Sequence, residues 1–158
     1  MKNLLYFLVI LVSIKSYGQG FSDEKVSLTN FIKRMYSAAP FEGVKVVEDY
    51  DHRYLVSVIS LDKAKYSDVS IMNRLAQIKA QSQVNTFING ASTSSEIIIK
   101  TTETKESSEK TKTLVETIES IKQNAVGFSR GLEMLTNFEN PENKKTVFIY
   151  FREVTDEK

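Results

Sequence analysis

The segment Ser67 to Asn89 restricts the architecture more than any other part of the chain. Met72, Leu75, Ala76, Ala80, Val84, Phe87 and Ile88 recur there at three- and four-residue steps, the spacing that gathers apolar groups on one side of an α-helix. Ser67 or Asp68 can accept the free N–H groups at its start, and Gly90 can supply a left-handed C-cap. Ala76 and Ala80 fall in the centre of the stripe, where short side chains let a backbone approach a sheet closely. Arg74, Gln77, Lys79, Gln81 and Gln83 supply the polar side. A long amphipathic helix laid across a sheet face is therefore expected.

The sheet to receive it is written on both sides of that helix. Val44 to Val47 and Arg53 to Leu61 are β-branched and aromatic runs separated by the turn-like Glu48-Asp49-Tyr50-Asp51-His52, which reads as a β-hairpin. Ser94 to Thr102, centred on Ile97-Ile98-Ile99, reads as a third strand. Leu132 to Phe138, a turn at Asn140-Pro141-Glu142-Asn143 and the run Thr146 to Phe151 read as a second hairpin forming the C-terminal edge. Two shorter helices are expected. One runs from Ser27, its N-cap, through Leu28, Phe31, Ile32, Met35 and Tyr36 until Pro40 halts it; the other spans about Thr113 to Asn124 on Leu114, Ile118 and Ile121. Between strand and second helix, Thr101 to Lys112 carries no apolar group, so it has no buried surface to offset its ordering entropy and reads as a mobile loop. The expectation is one α+β domain over residues 27–158. Its antiparallel or mixed sheet of about five strands is covered on one face by the long helix.

The first eighteen residues stand apart. Met1 to Asn3 carries one lysine, Leu4 to Ile14 is apolar except for Ser13, and Ser16-Tyr17-Gly18 places small residues where a signal peptidase reads. Residues 1–18 read as a cleaved secretory signal and 19–26 as a flexible leader. Without the signal, 19 basic face 20 acidic residues, a balance that gives little reason to expect a nucleic-acid partner, since such binding depends on a concentrated basic surface. No stretch approaches the roughly 20 apolar residues of a membrane helix. With no cysteine in the chain, disulfides, zinc–thiolate sites and a lipid-bearing cysteine are excluded. Export without disulfides fits a bacterial envelope.

Chemistry-bearing patterns are few. Gly127-Phe128-Ser129-Arg130-Gly131 matches the nucleophile elbow G-x-S-x-G, but the elbow needs a histidine later in the chain and a doubly wound sheet. The sole histidine, His52, lies upstream, so the two glycines are read as a turn from helix to strand. His52 itself reads as a solvated turn residue, because a metal site needs several convergent ligands. Glu48, Asp49 and Asp51 lack the spacing and central glycine of a calcium loop. The acids Glu96, Glu103, Glu106, Glu109, Glu116 and Glu119 could supply an acid–base pair, though nothing singles out two of them. Tyr50, Tyr54, Tyr66 and Tyr150 could line a groove, and strand tyrosines are more often half-buried sheet residues. No catalytic, cofactor-binding or metal residue is assigned, and no cofactor is expected.

The order of segments supplies one further pointer. Tyr54-Leu55-Val56-Ser57-Val58-Ile59, the helix ending Phe87-Ile88-Asn89-Gly90, the polar segment beside Ile97-Ile98-Ile99, Gly131-Leu132 and the closing Val147-Phe148-Ile149-Tyr150-Phe151 resemble in layout the small envelope-domain family typified by the twenty-kilodalton Lpp outer-membrane lipoproteins and the N-terminal domain of the flagellar T-ring protein FlgT. The signal ending before Gln19 is also similar to those of Bacteroidetes-type bacteria. The resemblance covers about Val44 to Arg152. It implies an α+β domain in the periplasm or at the outer membrane that acts through protein contacts, without a catalytic centre. This chain lacks the lipobox cysteine of those lipoproteins, and with it their lipid anchor. The expected function is a non-enzymatic protein-binding or assembly module whose partner is another envelope protein, met through an exposed strand edge. The alternative is a small periplasmic hydrolase or carbohydrate-binding protein using loop carboxylates, and self-association through the long helix is a further option.

Overall fold

The computed structural model describes residues 23–66, 68–90, 97–99, 121 and 125–154. In chain order the elements are α1 (Asp23–Ala38), β1 (Gly43–Asp49), β2 (His52–Asp62), α2 (Val69–Ile88), β3 (Ile97–Ile99), α3 (Ala125–Arg130), β4 (Glu133–Asn140) and β5 (Lys145–Val154). The strands form one mixed sheet in the order β3-β1-β2-β5-β4. Every neighbouring pair is antiparallel except β1 with β3. The protein is thus an α+β domain, as its segment pattern predicts.

The long helix forms where the stripe places it. Asp68 is its N-cap, its carboxylate accepting the backbone N–H of Ser70 at 2.7 Å, and Gly90 closes the other end with φ +79° and its N–H on the Phe87 carbonyl. Met72, Ala76, Ala80, Val84, Phe87 and Ile88 are buried. They meet Val46, Leu55, Ile59, Leu61, Phe148 and Tyr150 on one face of the sheet. Ala76 and Ala80 are fully buried, so the helix rests close on the strands at its middle. α3 packs beside it through Ala125 and Phe128.

The opposite face, to which the sequence pattern assigns no helix, is covered by α1, whose Leu28, Ile32 and Tyr36 pack on Val47, Tyr54, Val56, Val58, Val147, Ile149 and Phe151. The sheet therefore has helices on both faces, and β2 and β5 lie at its centre. Coverage on both sides is why Tyr54 to Ile59 and Val147 to Phe151 are continuously buried: a strand with no solvent face loses the alternation of a one-sided sheet. Each fully buried aliphatic side chain contributes about 1.5–3 kcal/mol, so neither helix is dispensable.

Other boundaries move for local reasons. Asp23 and Glu24, inside the expected leader and before Ser27, already belong to α1, where their negative charge in the first turn is favourable to the helix dipole. The first hairpin turns on Tyr50 and Asp51 alone, with Asp49 paired to His52. Glu48 and His52 accordingly belong to strands. Gly127 lies within α3, leaving Gly131 to make the turn. In the second hairpin only β4 is an edge; β5 sits inside, against β2. Of the expected second helix, Ile121 alone is described, helical and buried. The rest of that helix, the polar loop 101–112, the signal and residues 19–22 of the leader lie outside the described residues, as does most of the strand about Ile97–Ile99.

Candidate functional site

The residues with chemical potential do not converge. Ser129 is buried in α3, its Oγ donating to the Val126 carbonyl at 3.1 Å, so its hydroxyl serves its own helix. His52 begins β2 on the exposed surface, with Nδ1 2.7 Å from a Glu153 carboxylate oxygen. That hydrogen bond, helped by the charge of Glu153, raises the imidazole pKa above its usual value although desolvation acts to lower it. Glu48 is buried and points to the α2 side with Val46, whereas Asp49 follows Val47 to the other side and Asp51 is exposed. The three acids thus share no site.

The tyrosines divide likewise. Tyr50 is exposed in the turn at φ +52°. Tyr54 lies under α1, its phenol pushed up to about 12 by burial and by the nearby carboxylates of Glu153, Glu24 and Asp49. Tyr150 lies under α2, where its hydroxyl donates to the Asn73 carbonyl at 3.2 Å and burial raises its pKa. Tyr66 packs at the margin of the same core. The acids Glu96, Glu103, Glu106, Glu109, Glu116 and Glu119 lie outside the described residues. Among the described residues no three His, Cys, Asp or Glu side chains gather where a metal ion could sit, and no helix is long and apolar enough to cross a membrane.

What the fold does concentrate is surface along β4. The strand pairs with β5 on one side, and among the described residues nothing pairs with its other side. Alternate residues of this eight-residue strand thus offer outward N–H and C=O groups to a further strand. A bulge between Met134 and Thr136 lets Leu135 reach the α1-side core. From Thr136 to Asn140 the pairing with β5 is regular. Three open clefts border the strand. One of about 340 Å³ lies at its start, between Lys25, Glu133, Phe151 and Arg152. Another of about 210 Å³ lies at its end, between Tyr36, Pro40, Phe138 and Pro141. The third, about 420 Å³, lies across the β4–β5 turn beside Lys63 and Lys145.

α1 shapes this margin. Lys25, Thr29 and Lys33, at four-residue steps, lie on its flank toward β4. Lys25 forms a 2.7 Å ion pair with Glu133 and lies over the Phe151 ring at 5.3 Å. Lys33 lies 5.6 Å above the centre of the Phe138 ring. Tyr36 holds that ring edge-on at 5.4 Å. At the far end of the strand, Arg152 donates through Nη1 to the carbonyls of Gly127 and Phe128 at 2.8 and 2.7 Å and stacks on the Phe128 ring. A cation on the last carbonyls of a helix answers its dipole and fixes α3 to β5.

The sequence places the second hairpin at the edge of the sheet, and of its two strands β4 is that edge. Lys33, Phe138 and Tyr36 are not singled out in this way, because their proximity depends on which face α1 covers. No family model matches this chain, and neither a curated protein nor a solved structure matches it.

Proposed function

We propose that the protein is a non-enzymatic, exported module that binds another protein of the cell envelope, in the periplasm or at the outer membrane, by accepting a strand on β4. The observation that carries this reading is the unpaired side of β4 among the described residues, bordered at both ends by clefts. Main-chain hydrogen bonds along such an edge supply affinity, and pockets for alternate side chains supply selectivity. The layout resemblance to envelope domains and the signal-like residues 1–18 support the compartment. The dispersal of His52, Ser129 and the tyrosines favours a docking surface over a reaction centre.

The test is photocrosslinking in cells with a benzophenone amino acid at Asn137 on β4 and, as a control, at Thr86 on the exposed side of α2, read on separated periplasmic and membrane fractions. Asn137 is expected to give one dominant envelope partner that Thr86 does not. Identical patterns from the two positions, or soluble uncrosslinked protein alone, overturn the proposal and redirect work to substrate screening.

A further inference from the structure

Resting on that reading of β4, we infer that the strand it accepts is acidic on the side facing α1, with a carboxylate for Lys33 and, two residues away, an apolar side chain for the cleft of Tyr36, Pro40, Phe138 and Pro141.

Alternation along the edge decides which side chains share a face with α1. Thr136, Phe138 and Asn140 pair with Ile149, Val147 and Lys145, and so lie on the α1 side; Asn137 and Glu139 lie on the other. A strand added outside β4 continues this alternation, so its α1-side residues fall beside Thr136, Phe138 and Asn140. Lys33 stands above the position beside Phe138. It is half-buried, and among the described residues no carboxylate pairs with it. The charge is held at the margin by the Phe138 ring, which positions it without neutralising it. The cleft lies one side-chain position further on, between the end of α1 and the β4–β5 turn; two aromatic rings and two prolines supply its apolar walls, beside the polar Ser37, Glu139, Asn140 and Glu142. Acid and apolar groups two residues apart on one face of a strand match that spacing.

Charge also decides between occupants. A second copy pairing through its own β4 would bring Glu133 and Leu135 to this margin, but Glu133 is held by Lys25 and Leu135 is buried in its own core. It would also carry a second Lys33 on the same face, toward the first, and like charges repel. A partner with free carboxylates fits where a second copy does not.

The probe is a blocked peptide that reads alike in both directions, Thr-Val-Asp-Thr-Leu-Thr-Asp-Val-Thr, with controls carrying Asn or Lys in place of both Asp residues. Each is titrated into the ¹⁵N-labelled full chain, and the amide shifts of β4 are followed. The Asp peptide is expected to move Thr136 to Asn140 and to bind about fivefold more tightly than the Asn peptide, the scale of one partly exposed ion pair. The Lys33→Glu variant is expected to prefer the Lys peptide. Equal affinity for Asp and Asn peptides, both shifting β4, overturns the acidic assignment and leaves the edge reading standing. Absence of β4 shifts with every peptide overturns the edge reading, and so does pairing of β4 in a concentration-dependent dimer.

Discussion

Ser57 and Gln83 offer a measurement in which two destabilising changes are expected to cancel. Ser57 is the one serine in the buried run of β2; its Oγ is fully covered by α2 and donates to the Gln83 side-chain carbonyl at 2.8 Å. Gln83 sits at the margin of the helix–sheet contact and is only half-buried. The two single substitutions are therefore unequal. In Gln83→Leu the Ser57 hydroxyl loses its acceptor where water does not reach, and the cost is about 1–3 kcal/mol. In Ser57→Ala the glutamine amide turns toward solvent, and the loss is about 0.5–1.5 kcal/mol, the net value of one hydrogen bond. The double variant leaves no orphan and adds an apolar side chain to the contact, so its stability should return close to that of the parent. Urea unfolding reads this directly: with a slope of about 2 kcal/mol per molar, Gln83→Leu should lower the midpoint by about 1 M and the double variant by far less. If the effects of the two single changes simply add in the double variant, the pair is not coupled and the accounting of this buried bond is wrong.

Other expectations follow from the same contacts. A Cβ on Gly131 would collide with the Arg152 guanidinium, so Gly131→Ala should displace Arg152 from the α3 carbonyls and lower stability by about 1–2 kcal/mol; in an Arg152→Ala background the same change should cost little, which thermal unfolding of the four proteins will show. The folded-state pKa of His52 is raised, first by its hydrogen bond to Glu153. Its stabilising effect is thus fully present below the unfolded value near 6.5 and fades as pH rises through the folded value. Glu153→Gln should lower the pKa read by NMR titration, and the stability difference from the parent should shrink above that window. Ala80→Leu places a large side chain where α2 rests on the sheet and should cost about 1–3 kcal/mol in denaturant unfolding; an unchanged midpoint would mean the helix sits higher than described.

The parts of the fold legible in the sequence are those set by local periodicity and caps. The stripe from Met72 to Ile88, Asp68 before it and Gly90 after it define α2 without reference to anything distant. Layering was not legible in the same way, although a signal for it existed. Tyr54 to Ile59, broken only by Ser57, and Val147 to Phe151 are too nearly continuous in apolar residues for strands with a wet face, and that continuity is the mark of a sheet covered twice. Glu48 misled because a charged residue beside two aspartates reads as turn, while its place in β1 depends on pairing with Arg53. Gln83 misled in the same manner: a glutamine on an amphipathic helix reads as solvent-facing unless a buried hydroxyl awaits it. The candidate docking margin was the least legible part, since Lys25, Lys33, Tyr36 and Phe138 come from the two ends of the chain and meet only through tertiary packing.

The strand order also bears on how the molecule comes together. Each hairpin closes locally, β1 with β2 over two residues and β4 with β5 over four, events that take about 1–10 μs in isolation. The seam between them joins β2 to β5, strands about a hundred residues apart in the chain. Until that seam closes, the two most apolar strands each present an open side, the situation in which intermolecular strand pairing competes with folding. Nascent chains ending before Lys145 would keep β2 in that state. Assembly therefore waits on β5, and a holding chaperone that shields the β1–β2 hairpin would raise the yield of folded protein more than one acting on the helices.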